Sequence, residues 1–228
     1  MPTLFAVLYA AALGTDVAAI ATGADDLRWF SKLALMPLLA LYFLALSRGR
    51  RERLGLVLPA LVAAWAADAA LLRGDEISFL AGIALFGVMQ VLYMWIFIGR
   101  GAVAGVREHW RLPLGLLVFW AAFNVYFWGA FGDFAAPVAI YSALLVGMAV
   151  LAAGLRDRWL TAGALAFVVS DLMIGLDLAD IDFAGRSGAI MVTYAAAQVL
   201  IIGSLVRITR TDRDGSRLSP GTPLGVRP

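Results

Sequence analysis

The chain has no cysteine and a single histidine, His109. Disulfides, thiolate nucleophiles and cysteine-based metal sites are thereby excluded, and one imidazole is too few for a histidine-dependent active site or zinc centre. Lysine is almost as scarce, with Lys32 alone beside seventeen arginines. A retinal protein is set aside because this lysine lies early in the chain and not near its C-terminus. Charge itself is sparse, at 15% of residues against 62% hydrophobic. Soluble domains are about 45–50% apolar, so this composition and a mean hydropathy of +0.87 belong to an integral membrane protein. The start, "MPTLFAVLYAAALG", lacks a basic segment and reads as a first span, not a cleaved leader. No metal or cofactor and no nucleic-acid partner is expected.

What remains is hydrophobic runs. A membrane span needs about 20 mostly apolar residues, and eight such runs are present, at 3–22, 29–46, 54–72, 79–98, 112–130, 134–155, 159–176 and 188–206. The breaks are short and polar, so the expected fold is all-α, one polytopic bundle of about eight transmembrane helices over 1–206. Residues 207–228 are basic and then rich in Pro, Gly and Ser, which predicts a disordered tail. Fourteen of the seventeen arginines fall in the second, fourth and sixth loops and the tail. By the positive-inside rule both termini are expected in the cytoplasm. The excess of Arg over Lys and the abundant Ala suggest a bacterial gene of high GC content, hence a multi-pass protein of the inner cell membrane.

Four ionisable side chains are left inside spans: Asp16, Lys32, Asp68 and Asp171. All four lie at one expected depth, roughly 5–9 Å from the non-cytoplasmic ends at a rise of 1.5 Å per residue. A charge at that depth costs about 3 kcal/mol or more, so such residues face inward. Asp16 and Lys32 read as an interhelical tie across the first hairpin. Asp68 and Asp171, without basic neighbours in sequence, read as a functional pair in which one carboxyl holds a proton and serves as a general acid. Ser170 is a hydrogen-bond candidate for Asp171, while Asp177 and Asp180 are taken as loop charges. Further polar groups recur at helical spacing, Gln90 and Tyr93 in the fourth span with Phe86 on the same face, and Tyr194 and Gln198 in the eighth. Asn124 and Tyr141 sit in the fifth and sixth. "QVL" at 90–92 and again at 198–200, each after an Asp-bearing span, suggests a weak parallel repeat of four plus four helices, 1–98 and 112–206.

Several stretches together resemble the YhhN family of membrane proteins, which includes the lysoplasmalogenases. They are "SKLALMPLLALYF", "AAWAADAALL", "FLAGIALFGVMQVLYMWIF", "GALAFVVSDLMIGLD" and "YAAAQVLIIGSLV". Two positions depart from the family pattern. Ala67 precedes Asp68 where Gly is usual, and Gln90 stands three residues before Tyr93 where His is usual, which removes a histidine-assisted proton route. The resemblance implies hydrolysis of the vinyl ether bond of lysoplasmalogens to a fatty aldehyde and a glycerophospho-headgroup compound. It also implies that Asp68 and Asp171 are the catalytic pair. Vinyl ether cleavage needs a carboxylic acid to protonate carbon and a carboxylate to stabilise the cation, which accords with that pair. Lys32, Gln90, Tyr93, Asn124, Tyr141, Ser170, Tyr194, Gln198 and Asp16 are the candidates for binding the lipid substrate and placing water. Two other readings stand beside this one, a membrane transporter and a non-catalytic lipid-binding protein. Against a transporter, Met36-Pro37 is the one interruption of the kind a broken helix shows.

Overall fold

In the computed structural model, which describes residues 2–47 and 55–217, nine helices carry the chain. They are α1 (Pro2–Thr22), α2 (Asp25–Leu46), α3 (Val57–Leu71), α4 (Glu76–Ile98), α5 (Ala102–Glu108), α6 (Arg111–Phe127), α7 (Ala135–Gly154), α8 (Arg158–Leu178) and α9 (Arg186–Arg217), with a 3₁₀ turn at Gly132–Phe134. No strand occurs among the described residues. The links are short where the chemistry demands it. Gly23 turns α1 into α2 at φ +68°, a left-handed conformation that side-chain-bearing residues rarely adopt. Asp157 caps α8, its Oδ1 accepting from the backbone N–H of Trp159 at 3.0 Å and of Leu160 at 2.8 Å. Partial burial favours the neutral form of Asp157, but Arg207 and the Leu160 N–H outweigh it and hold the carboxyl below the usual range.

Six helices are long and apolar enough to cross a bilayer, or seven if α5 and α6, bent by 92° at their junction, form one broken span. α3 has only 15 residues, a rise of roughly 22 Å against a hydrocarbon core of about 30 Å. The expected start of that span at 54, like the four arginines before it and residues 218–228, lies outside the described residues. Three expectations shift. The fourth break contains a helix, α5, because Ala102 and Gly105 bury a small face against α7. α9 continues to Arg217, beyond the expected end at 206. Asp177 belongs to the last turn of α8 and pairs with Arg186 at 2.5 Å; it is not a loop charge.

α1 and α2, α3 and α4, and α8 and α9 pack as antiparallel hairpins. α7 touches α6, α8 and α4, as α2 touches α1, α3 and α9. Tyr93, Phe97, Met148 and Phe167 are wholly buried between the halves, whereas Phe30, Trp95, Val125 and Tyr126 project outward. An apolar exterior of that kind is what a lipid solvent requires. Small residues let backbones approach, most closely at α5 and α7, where a Cβ on Gly105 would overlap the Gly154 carbonyl. Gly105→Ala is therefore expected to cost about 1–3 kcal/mol through overpacking. Thermal unfolding in detergent should show a loss of several degrees, and an unchanged midpoint would mean that α5 can lift off α7.

Candidate active site

Ser170 and Asp171 are consecutive on α8 and so point about 100° apart. Ser170 takes the α9 side, where its hydroxyl donates to the Ile190 carbonyl at 3.1 Å. It ties two helices together and is not joined to Asp171. Asp171 takes the α7 side and accepts a short hydrogen bond from the Tyr141 hydroxyl at Oδ2. Both residues line a cavity of about 80 Å³ enclosed mainly by α4, α6, α7 and α8. Its walls are largely apolar, with Phe86, Phe119 and Phe123 prominent; Asn124 and Ser142 are the other polar groups on it.

The polar side of this cavity has a determined arrangement. The Asn124 amide nitrogen donates to the Trp120 carbonyl at 2.9 Å and lies 3.3 Å from Ser142 Oγ. Since the Trp120 carbonyl can only accept, the amide orientation follows. Ser142 directs its own proton to the Ala139 carbonyl at 3.2 Å while accepting from Trp120 Nε1 at 3.0 Å. That leaves Asn124 Oδ1 buried without a hydrogen-bond donor. A buried acceptor left unpaired costs on the order of 1–3 kcal/mol.

Asp68 is elsewhere. It is buried near the end of α3, with Oδ1 3.6 Å from Lys32 Nζ and Oδ2 accepting from the Tyr194 hydroxyl at 2.9 Å. Phe86, Phe167 and Tyr194 pack edge to face at 5.4–6.1 Å between ring centroids. Phe86 thus has one face on the cavity and another on the ring that binds Asp68. The two carboxylates are within electrostatic range of each other, but only Asp171 lines the cavity.

The remaining candidates form a supporting network. Tyr93 donates to Gln198 Oε1 at 2.8 Å, and Gln198 Nε2 lies 3.2 Å from Met89 Sδ, all within the core. Gln90 is fully buried, with its side-chain amide against the Tyr141 hydroxyl. Asp16 accepts from Ser31 at 3.0 Å across the first hairpin. The hairpin tie is therefore Asp16–Ser31, and Lys32 pairs instead with Asp68. Of the substrate-binding candidates, Asn124 and Tyr141 line the cavity beside Asp171. Lys32, Gln90, Tyr93, Ser170, Tyr194, Gln198 and Asp16 do not line it. Sequence reasoning missed Trp120 and Ser142; the i,i+4 spacing of Trp120 and Asn124 was the available signal.

Lys32 on α2 meets Asp68 on α3, and Tyr141 on α7 meets Asp171 on α8. Among the described residues no cluster of three His, Asp or Glu side chains is placed to hold a metal ion. No solved structure matches this chain. The YhhN family model matches residues 27–205, a segment that takes in Lys32, Asp68, Gln90, Asn124, Tyr141, Asp171 and Tyr194, and the chain belongs to the YhhN family.

Proposed function

We propose that the protein is a membrane hydrolase that cleaves the vinyl ether bond of lysoplasmalogen-type lipids. The observation that carries this reading is Asp171 on the wall of a small apolar cavity, oriented by Tyr141, with no Lys or Arg side chain among the described residues that line it. Tyr141 occupies Oδ2, which leaves Oδ1 to carry the reactive proton. In the reaction, that proton passes to the alkenyl carbon remote from oxygen and leaves an oxocarbenium ion opposite the Asp171 carboxylate. Water adds to the carbon bound to oxygen, returning a proton to Asp171. The resulting hemiacetal breaks its bond to the glycerol oxygen, giving a fatty aldehyde and a glycerophospho-headgroup alcohol. Asp68, outside the cavity, acts through the field and not by contact. Paired with Lys32 but still a nearby carboxylate, it favours positive charge developing at the cavity.

Asn124 Oδ1 supplies the recognition element. Once the Asn124 side chain turns its oxygen to the cavity, the free glycerol hydroxyl of a lysolipid donates to it, whereas an acylated lipid offers no donor. Sites whose buried polar groups are left unpaired by the wrong substrate discriminate strongly, by up to about 10⁴–10⁵. Asn124→Leu is expected to erase a preference for alkenyl lysolipids over alkenyl-acyl lipids. The preference is measured as the ratio of kcat/KM values for the two, and an unchanged ratio would remove Asn124 from recognition.

The reading as a whole is tested with purified protein in detergent. Release of fatty aldehyde from an alkenyl lysolipid, followed by mass spectrometry, is the expected result; no release across a panel of headgroups and chain lengths would end it. The sharp α5–α6 bend favours a second reading, a transporter with a broken span. That bend lies against the α7 end at Gly154, however, and Asp171 is 13 residues into the following helix, roughly 20 Å along it. A broken helix that served a transport site would be expected to end at the site itself.

A further inference from the structure

The cavity beside Asp171, at about 80 Å³, has room for a reacting bond and a water. It is well below the roughly 300–1,000 Å³ of clefts that enclose whole ligands. A long-chain lipid reacting there must place its chain somewhere else. A second hollow, of about 450 Å³, lies between α4 and α7. Its lining includes Ala84, Gly87 and Val91 from α4 and Ile140 and Leu144 from α7. Tyr141 is the one polar side chain along it.

The two hollows lie on either side of shared walls. Ile83 and Tyr141 line both. Tyr141 therefore presents its ring to the apolar groove while its hydroxyl binds Asp171 on the other side. The outer rim of the groove is open on the flank of the bundle, since Val88, Val91 and Ile140 are all largely exposed. Gly87 keeps its floor low, because a Cβ there would already approach Leu144 Cδ1 to 3.3 Å.

We propose that the α4–α7 groove is the binding site for the aliphatic chain of the substrate lipid, taken up sideways from the bilayer, with the Tyr141 ring as the partition between chain and reacting bond. This rests on the lipid vinyl ether reading for the identity of the reacting bond. The groove adds no hydrophobic driving force, because the chain leaves a medium as apolar as the groove. What it supplies is register. A chain lying along α4 and α7 and passing Tyr141 sets which bond reaches Asp171, so the partition converts chain position into bond position.

The test uses a lysolipid with a saturated ether-linked chain bearing a diazirine. It cannot be hydrolysed and so reports chain position whether or not the protein cleaves vinyl ethers. Photolabelled residues are expected within 80–92 and 137–144. Gly87→Leu, which fills the floor, should lower that labelling at least about tenfold. Ala84→Leu, on the exposed rim, serves as a second variant should the first fail to fold. Labelling concentrated on other helices, or undiminished in both variants with wild-type unfolding midpoints, overturns the proposal. So does the absence of labelling in wild type. In an active enzyme, Ala84→Leu should slow a long-chain alkenyl lysolipid more than a six-carbon one, and equal slowing counts against the groove. Labelling in the groove without aldehyde release would leave the chain site standing and remove the hydrolase reading alone.

Discussion

Asp171→Asn is expected to lower kcat for aldehyde release by about 10²–10⁴-fold, the range of a lost general acid. The substitution keeps the shape of the side chain and an oxygen able to accept from Tyr141, so helix packing and the Tyr141 contact survive. What it removes is the transferable proton, and no other acidic group lines the cavity. KM should change little, because Asp171 is asked to bind the transition state and not the lipid. The unfolding midpoint should stay near wild type or rise, since a desolvated carboxyl is replaced by a neutral amide. Tyr141→Phe should be milder. It leaves the acid in place and loses its orientation, and a change at the level of a single neutral hydrogen bond, about 0.5–1.5 kcal/mol or up to roughly tenfold, is expected in kcat. Measuring both variants by single turnover separates the chemical step from product release. If Asp171→Asn turns over within a factor of about three of wild type, far short of the expected range, the proton comes from another group.

Some of this was visible in the residues themselves. The apolar runs and the turn chemistry between them located the helices, because Gly23 and the Asp157 cap act through neighbours only a few residues away. That Asp16, Lys32, Asp68 and Asp171 face inward follows from the cost of charge in lipid, which needs no tertiary information. Pairing did need it. Lys32 is 16 residues from Asp16 and 36 from Asp68, and spacing along the chain favoured the nearer partner. The α2–α3 contact decides for the farther one, leaving Asp16 to Ser31. Ser170 beside Asp171 misled in the same way, because adjacent residues on a helix face different neighbours. The unequal standing of Asp68 and Asp171 was equally hidden. It depends on tertiary neighbours far along the chain: the Tyr194 hydroxyl binds Asp68, whereas the bare Phe86 ring shares the cavity wall with Asp171.

The Lys32–Asp68 pair carries the second large effect, and it divides stability from catalysis. Lys32→Met leaves the Asp68 carboxylate buried with Tyr194 as its remaining partner, and Asp68→Asn leaves the Lys32 ammonium without its ion-pair partner. Breaking a buried pair from one side costs about 3–5 kcal/mol. At roughly 2–4 °C per kcal/mol for a chain of this size, either single variant should lose on the order of 10 °C in detergent. Removing both charges together abolishes the uncompensated ion, so the double variant Lys32→Met/Asp68→Asn is expected to unfold closer to wild type than either single one. If the double variant is instead the least stable, the two groups contribute independently and their 3.6 Å contact is incidental. With folding restored, the double variant also reads what Asp68 does for the reaction. A carboxylate that stabilises developing positive charge from outside the cavity cannot be replaced by an amide, however well the helices pack. The folded double variant should therefore turn over more slowly than wild type by about 10–100-fold, with KM unchanged. Wild-type turnover would reduce Asp68 to a partner for Lys32, and Asp171 would then carry the acid chemistry alone.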